Sequence, residues 1–169
     1  MQLFITFFRG TPLLVQLFLF YYGLPQVLPV LAGINGVTAA IIGLTLHFSA
    51  YMAESIRAAI LGVDRSQWEA AQAVGMTQTQ SMRRIILPQA ARVAAPTLVN
   101  YFIDMIKSTS LAFTLGVTEM MGATQKEAAG SFLYFEAFLV VAALYWGIVE
   151  MLSFLQKQLE RHLNKALAR

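Results

Sequence analysis

The 169-residue chain is 57% hydrophobic and 12% charged, with a mean hydropathy of +0.61 and a formal net charge of +3. A soluble domain carries about twice that charged fraction, so this much apolar surface calls for lipid, and the composition points to a polytopic membrane protein. The lack of cysteine excludes disulfides and thiolate metal sites, two distant histidines (His47 and His162) do not make a metal centre, and +3 is too small to argue for nucleic acid.

The opening MQLFITFF has neither the basic start nor the small-residue cleavage site of a signal peptide. Four apolar stretches then follow, at about 12–31, 37–53, 94–117 and 132–155. Each is close to the ~20 residues that a helix needs to cross ~30 Å of hydrocarbon. They lack alternation and are too long for strands. The expected fold is all-α: one domain, 1–169, with four transmembrane helices and one substantial polar loop at about 54–93. The first stretch ends in Gly23-Leu24-Pro25 and then Pro29, which places its end at the membrane interface. Tyr21, Tyr22, Tyr145 and Trp146 suit interfacial anchoring. No internal repeat is visible.

Orientation follows from the basic residues. Arg9 precedes the first stretch, and Arg57, Arg65, Arg83, Arg84 and Arg92 lie between the second and third. Lys157, Arg161, Lys165 and Arg169 fill the tail, whereas the other two connections hold only Lys126. The positive-inside rule then puts both termini and the long loop in the cytoplasm.

Within the loop, Gln67–Val74 consists of good helix formers. Asp64 or Ser66 can cap its start, and Gly75 can end it by taking a positive φ. A second helical stretch, Thr77–Leu87, is expected to stop at Pro88. Ala70, Ala71 and Ala73 make a thin, smooth rod, while Trp68 and Glu69 offer an anchor and a charge to a basic partner.

Glu69 to Pro88 reads EAAQAVGMTQTQSMRRIILP, which fits E-A-A-x-x-x-G, nine residues, then I-x-L-P. In a loop between two spans, this resembles the permease subunit of bacterial ABC importers. The resemblance covers nearly the whole chain. Phe8 to Phe18, FRGTPLLVQLF, Ala50 to Arg57, AYMAESIR, and Lys107 to Leu111, KSTSL, are similar to signatures of polar amino-acid permeases. FYYGLPQ, SLAFTLGVTEM and YFEAFLVVAALYW look most like permeases for cystine and related sulphur amino acids. Two departures stand out. Relatives carry a further transmembrane helix before FRGTP, so the resemblance implies that this helix is missing here. Ser108 replaces an acid or amide, so an ion pair made there in relatives is absent.

The resemblance implies that Trp68, Glu69, Ala70, Ala71, Gly75, Leu87 and Pro88 form the loop gripped by the ATPase. It implies a second permease copy (the same chain or a close paralogue), two ATPase subunits, a solute-binding protein outside, and a place in the bacterial inner membrane. ATP belongs to the partner. This chain has no G-x-x-x-x-G-K-[ST] loop and no nucleophile set beside a histidine and an acid, so no cofactor and no catalytic residue are expected.

Asn100, Asp104 and Lys107 share one helical face, with Thr97 a turn earlier. Charges at bilayer depth cost at least ~2.5 kcal/mol each, so this face should meet a wet cavity or the bundle interior. It can line a path for a zwitterion, or it can be an Asp104–Lys107 pair that neutralises itself near the surface. Glu54 and Arg57 read as a structural pair, Glu136 and Glu150 as interfacial, and His47 as a hydrogen-bonded packing residue. Two other readings stay open at this point: an ion-driven secondary carrier using Asp104 and Lys107, and a truncated, non-transporting scaffold.

The charge distribution makes a direct prediction. Cysteines introduced at Gly33 and Gln80 should react with an impermeant maleimide from opposite sides of the membrane. Same-side labelling would overturn the topology.

Overall fold

A computed structural model describes residues 2–165, with side chains described for 2–158. Arg169 lies outside the described residues, and so do the side chains of Arg161, His162 and Lys165. Among the described residues the regular structure is helical throughout, without a strand.

Helix α1 (Gln2–Gly10) ends where Thr11 precedes Pro12, because a residue before proline is pushed out of the α region. Pro12 is extended, with φ −63° and ψ 137°. The chain then runs through α2 (Leu13–Phe18), a π-helical turn (Leu19–Gly23) and α3 (Leu24–Val27). The run Leu13–Val27 is bent by 109° from α1. A short 3₁₀ turn, Pro29–Leu31, leads into α4 (Gly36–Leu61), whose first turn is capped by Asn35 accepting from the Thr38 N–H at 2.8 Å.

Next come α5 (Arg65–Ala73) and α6 (Gln78–Ser81), then a second π turn (Met82–Ile86) that feeds α7 (Leu87–Ser108). Helix α7 tightens into a 3₁₀ segment (Thr109–Leu115), and α8 (Met120–Ser131) and α9 (Tyr134–Lys165) complete the chain. Both π turns run directly into a Leu-Pro pair, Leu24-Pro25 and Leu87-Pro88. Proline lacks the N–H that would bond back four residues, and its ring crowds that carbonyl. Widening the turn relieves the crowding: the Leu24 N–H reaches Leu19 O and the Leu87 N–H reaches Met82 O. The helix therefore does not stop at Pro88, as the sequence pattern suggests, but passes through it.

Helices α4 and α9 are each long and apolar enough to cross a bilayer, and α1 with Leu13–Val27 adds a third candidate if the bent pair is one broken span. Helix α7, which carries Arg92, Asp104 and Lys107, is not among them. The four expected stretches thus have two or three counterparts on length and composition. Helix α4 runs on to Leu61 and α7 begins at Leu87, so the segment between the two long helices is 62–86, inside the expected 54–93 loop. Glu54 and Arg57 pair along the side of α4, and their charges do not end the helix.

Helix α4 is the hub. Its first half packs on Leu17 of α2 and on Ala112 and Leu115 of the 3₁₀ segment through Ala39 and Ala40. Its second half meets α7 through Ala59, Ala90 and Ala94, small residues that let two backbones approach closely. Gly36, at the helix start, lies so close to the Leu115 carbonyl that a Cβ would collide with it.

Gly36→Ala should therefore destabilise the fold by about 1–3 kcal/mol, the usual cost of overpacking. Gly33→Ala, with nothing within 4 Å of the added carbon, should not. Thermal unfolding of the two variants in detergent checks the contrast.

Candidate functional site

The polar segment folds into an elbow. Asp64 caps α5 by accepting from the Ser66 N–H at 2.8 Å. At the other end Gly75 takes φ 76°, the left-handed region that glycine enters without penalty. The Gly75 N–H then bonds Gln72 O at 2.9 Å and the Met76 N–H bonds Ala71 O at 3.0 Å, the paired bonds of a Schellman ending. Two residues on, Thr77 opens α6 with a reciprocal capping box: its N–H donates to Gln80 Oε1 at 2.9 Å, and the Gln80 N–H donates to Thr77 Oγ1 at 3.3 Å. Gln89 Nε2 donates to Gln67 Oε1 at 3.3 Å, which ties α5 to the start of α7. Every turn of the elbow is thus closed by its own hydrogen bonds, and the unit is short and stiff.

The residues singled out in this segment separate in space. Glu69, Ala70 and Gly75 are exposed, Trp68 is half-buried, and Leu87 and Pro88 are exposed at the entry to α7. Ala71 is not part of an outer rod: it is only 1% exposed, on a helix that packs against α6 and the second π turn. Glu69 has an internal partner that the sequence reading did not pair with it, Arg65 at 3.2 Å. Both side chains are largely exposed, so this i,i+4 pair is weak and leaves the carboxylate open to exchange partners.

The second candidate set lies along α7. Asn100, Asp104 and Lys107 are all exposed, and Lys107 Nζ sits 2.7 Å from Asp104 Oδ1. The structure brings the two charges together as a pair, with Asn100 on the same outward face.

Two signature segments far apart in sequence converge on α4. Arg57 Nε donates to Glu54 Oε2 at 2.9 Å, and Arg9 Nη1 approaches Glu54 Oε1 at 3.8 Å. The Arg9 guanidinium also lies over the Tyr51 ring, 5.5 Å from its centre. Glu54 is thus shared by two arginines, one from each segment. Tyr101 of α7 joins the same side of α4, its hydroxyl sharing a hydrogen bond with Ser55 at 3.0 Å.

Sequence reasoning passed over Gln16. It is 1% exposed, and its Oε1 lies 3.0 Å from His47 Nδ1, so His47 is the hydrogen-bonded packing residue expected of it. Glu119 was also missed. It caps α8 by accepting from the Met121 and Gly122 N–H groups at 2.8 and 2.6 Å and receives the Tyr145 hydroxyl at 3.3 Å. Tyr145, a candidate interfacial anchor, is therefore an interhelical tie. Glutamine in an apolar run and an acid before a helix are the only sequence signals for these two sites.

A helical membrane subunit with a stiff polar elbow between its two best-packed helices is the architecture of a transport-system membrane component. The chain belongs to the family of binding-protein-dependent transport system inner membrane components, whose model matches residues 1–165. It is 68% identical over 168 residues to the probable amino-acid ABC transporter permease protein PatM of Vibrio harveyi, covering 99% of this chain and 75% of that protein. It is 53% identical to the probable amino-acid permease protein YxeN of Bacillus subtilis (97% and 73% covered) and 40% identical to the L-cystine transport system permease protein TcyB of the same organism (99% and 71% covered). A crystal structure of an amino acid ABC transporter with histidines superposes with a TM-score of 0.88 at 38% identity, over 95% of this chain and 74% of that one. The chain is thus an amino-acid ABC transporter permease subunit, which sets aside the ion-driven carrier.

The elbow's cap makes a pH prediction. The backbone N–H of Ser66, and then its side chain, hold the Asp64 carboxyl below its ordinary pKa. A folded pKa below the unfolded one means that the cap's stabilisation is complete above about pH 4 and fades as pH falls through the lower, folded value. Hydrogen exchange at the start of α5 should accelerate over that acidic window in the wild type. In Asp64→Asn, whose amide oxygen caps without titrating, it should not.

Proposed function

We propose that this subunit moves a polar amino acid, L-cystine or a related sulphur amino acid, into the cytoplasm, driven by separate ATPase subunits that grip the α5–α6 elbow. The observation that carries this reading is the elbow itself. It is closed by an aspartate cap, a glycine turn and a capping box, and it is joined at both ends to the tightly packed α4–α7 pair. Force applied to α5 has no soft joint in which to dissipate before it reaches those two helices. Trp68 and Glu69 are the contact residues, Ala70 keeps the exposed face low, Ala71 seats α5 on α6, Gly75 sets the angle, and Leu87 and Pro88 carry the motion into α7.

In this reading two permease copies, identical or closely related, stand side by side in the inner membrane, with both termini and the elbow in the cytoplasm. A solute-binding protein delivers the amino acid from outside. The exposed Asn100–Asp104–Lys107 face of α7 cannot rest against lipid cheaply, so it faces the path between the copies. Its paired charges match the ammonium and carboxylate of an amino acid. Docking and closure of the ATPases would draw the two elbows together and tilt α4 and α7 as rigid bodies. The substrate class is supported by the cystine-permease-like stretches and by the 40% identity to a relative named for L-cystine.

Gly75 provides the test. The space around it is open, so an added Cβ meets no neighbour within 4 Å and the strain falls on the backbone angle. Gly75→Val should insert normally but lose ATPase co-purification and uptake, since a β-branched residue is a poor fit to φ above zero. Gly75→Asn, which tolerates that angle, should keep both. Uptake of labelled cystine against a panel of polar amino acids, at matched expression, reads out coupling and substrate together. Normal pull-down and uptake by the valine variant would overturn the coupling role, and a preference for another amino acid would overturn the substrate.

A further inference from the structure

The corner between α1 and α2 is built around one side chain. In an uninterrupted helix the Phe8 carbonyl would accept from the N–H of residue 12, but residue 12 is proline and has none. Gln16 supplies the missing donor. Its Nε2 lies 2.9 Å from Phe8 O, 3.1 Å from Thr11 O and 2.8 Å from Thr11 Oγ1. Thr11 Oγ1 in turn donates to Phe7 O at 2.8 Å. With Nε2 donating, Oε1 is the acceptor, so the group 3.0 Å away, His47 Nδ1, carries the proton and donates. His47 belongs to α4. Its ring lies 5.0 Å from that of Tyr51, the ring that Arg9 covers, on the helix whose far end, Leu61, comes just before the Asp64 cap of α5.

We propose that Gln16 and His47 are a positioning pair that clamps the α1–α2 corner to α4, so that α1 travels with α4 when the elbow moves. This rests on the reading of the elbow as the ATPase contact. Three features favour a clamp over ordinary packing. The pair is polar and sits at the one break in the N-terminal helix run. From the helix after that break, Gln16 satisfies two carbonyls before it, Phe8 O and Thr11 O. Arg9, one turn before the corner, reaches Glu54 on the same helix α4, so α1 is fixed to α4 at two places. Losing the His47 donor would leave Gln16 Oε1 unpaired in a buried place, and the corner would have to turn to find another donor.

The test uses the assembled complex in lipid nanodiscs. The chain has no native cysteine, so spin labels can be placed on cysteines at the exposed positions 2 and 58, one on α1 and one on α4. The distance distribution should be narrow, with the same centre and width in nucleotide-free and vanadate-trapped wild type. His47→Phe and Gln16→Met remove the hydrogen bond at similar volume. Both should broaden the distribution and lower substrate imported per ATP by about tenfold. His47→Asn places an amide donor where Nδ1 stands and should restore both readings. A wild type whose α1–α4 distance shifts on trapping would overturn the proposal. So would narrow distributions with unchanged import per ATP in both apolar variants, or a His47→Asn defect as large as that of His47→Phe. If both apolar variants are lost from the membrane, His47→Asn decides alone: wild-type width and coupling support the clamp, and a broadened or uncoupled complex refutes it. Absence of ATP-dependent import in the wild type would count against the importer reading instead, and the label widths would still judge the clamp.

Discussion

A helix in a bilayer has no water to turn to when a backbone donor is missing, and this chain places five prolines in or beside its helices. How each gap is closed decides much of the architecture. At Pro12 the helix breaks outright, and the Gln16 amide holds the two halves at their corner. Before Pro25 and Pro88 the helix widens into a π turn and continues. Glutamine amides also bond carbonyls near other prolines: Gln26 donates to Tyr22 O at 3.0 Å and Gln89 to Ile85 O at 3.0 Å, each one turn back, and Gln156 of α9 donates to Pro96 O of α7 at 3.4 Å. A glutamine side chain is long and carries two donors, which at Pro12 lets Gln16 satisfy the Phe8 carbonyl that proline leaves open. Among the described residues no buried side-chain polar atom lacks a partner.

The same economy explains why α4 is the hub. Small residues let its neighbours approach closely at both ends, Gly36, Ala39 and Ala40 toward α2 and the 3₁₀ segment and Ala59 toward α7. One face carries His47, Tyr51, Ser55 and Glu54: His47 meets Gln16 of α2, Ser55 meets Tyr101 of α7, and Tyr51 and Glu54 both meet Arg9 of α1. Apolar contact sets the spacing and the polar contacts set the register, so α4 cannot slide against its neighbours without breaking several specific bonds. Helix α9 is the opposite case. Only 6% of its spanning window is buried inside the chain, against 39% for α4, so its surface is left for lipid or for another subunit.

Charge follows a parallel rule. Glu54 is shared by Arg9 and Arg57, Asp104 is paired with Lys107, and Glu69 with Arg65. The pairs on the long helices neutralise side chains that lipid would penalise. The pair on the elbow is largely exposed, and so it is weak.

Much of this was legible in the sequence, because much of it is local. The helical membrane class, a polar elbow, a cap at Asp64 or Ser66 and the Gly75 ending follow from composition, periodicity and turn chemistry, which act over a few residues. The FRGTP, AYMAESIR and EAA segments identified the family for the same reason. What the sequence did not decide was anything resting on which helix lies beside which. Pro88 looked like a stop because the pattern cannot show that a π turn would carry the helix through it. Ala71 looked like part of an exposed rod because the facing α6 has no signature in α5. Gln16 drew no reading of its own, and only the 109° fold-back of α1, with α4 alongside, makes it the side chain that closes a corner. Local bonding rules could be read along the chain; the partners of buried polar groups were chosen by the packing of helices far apart in it.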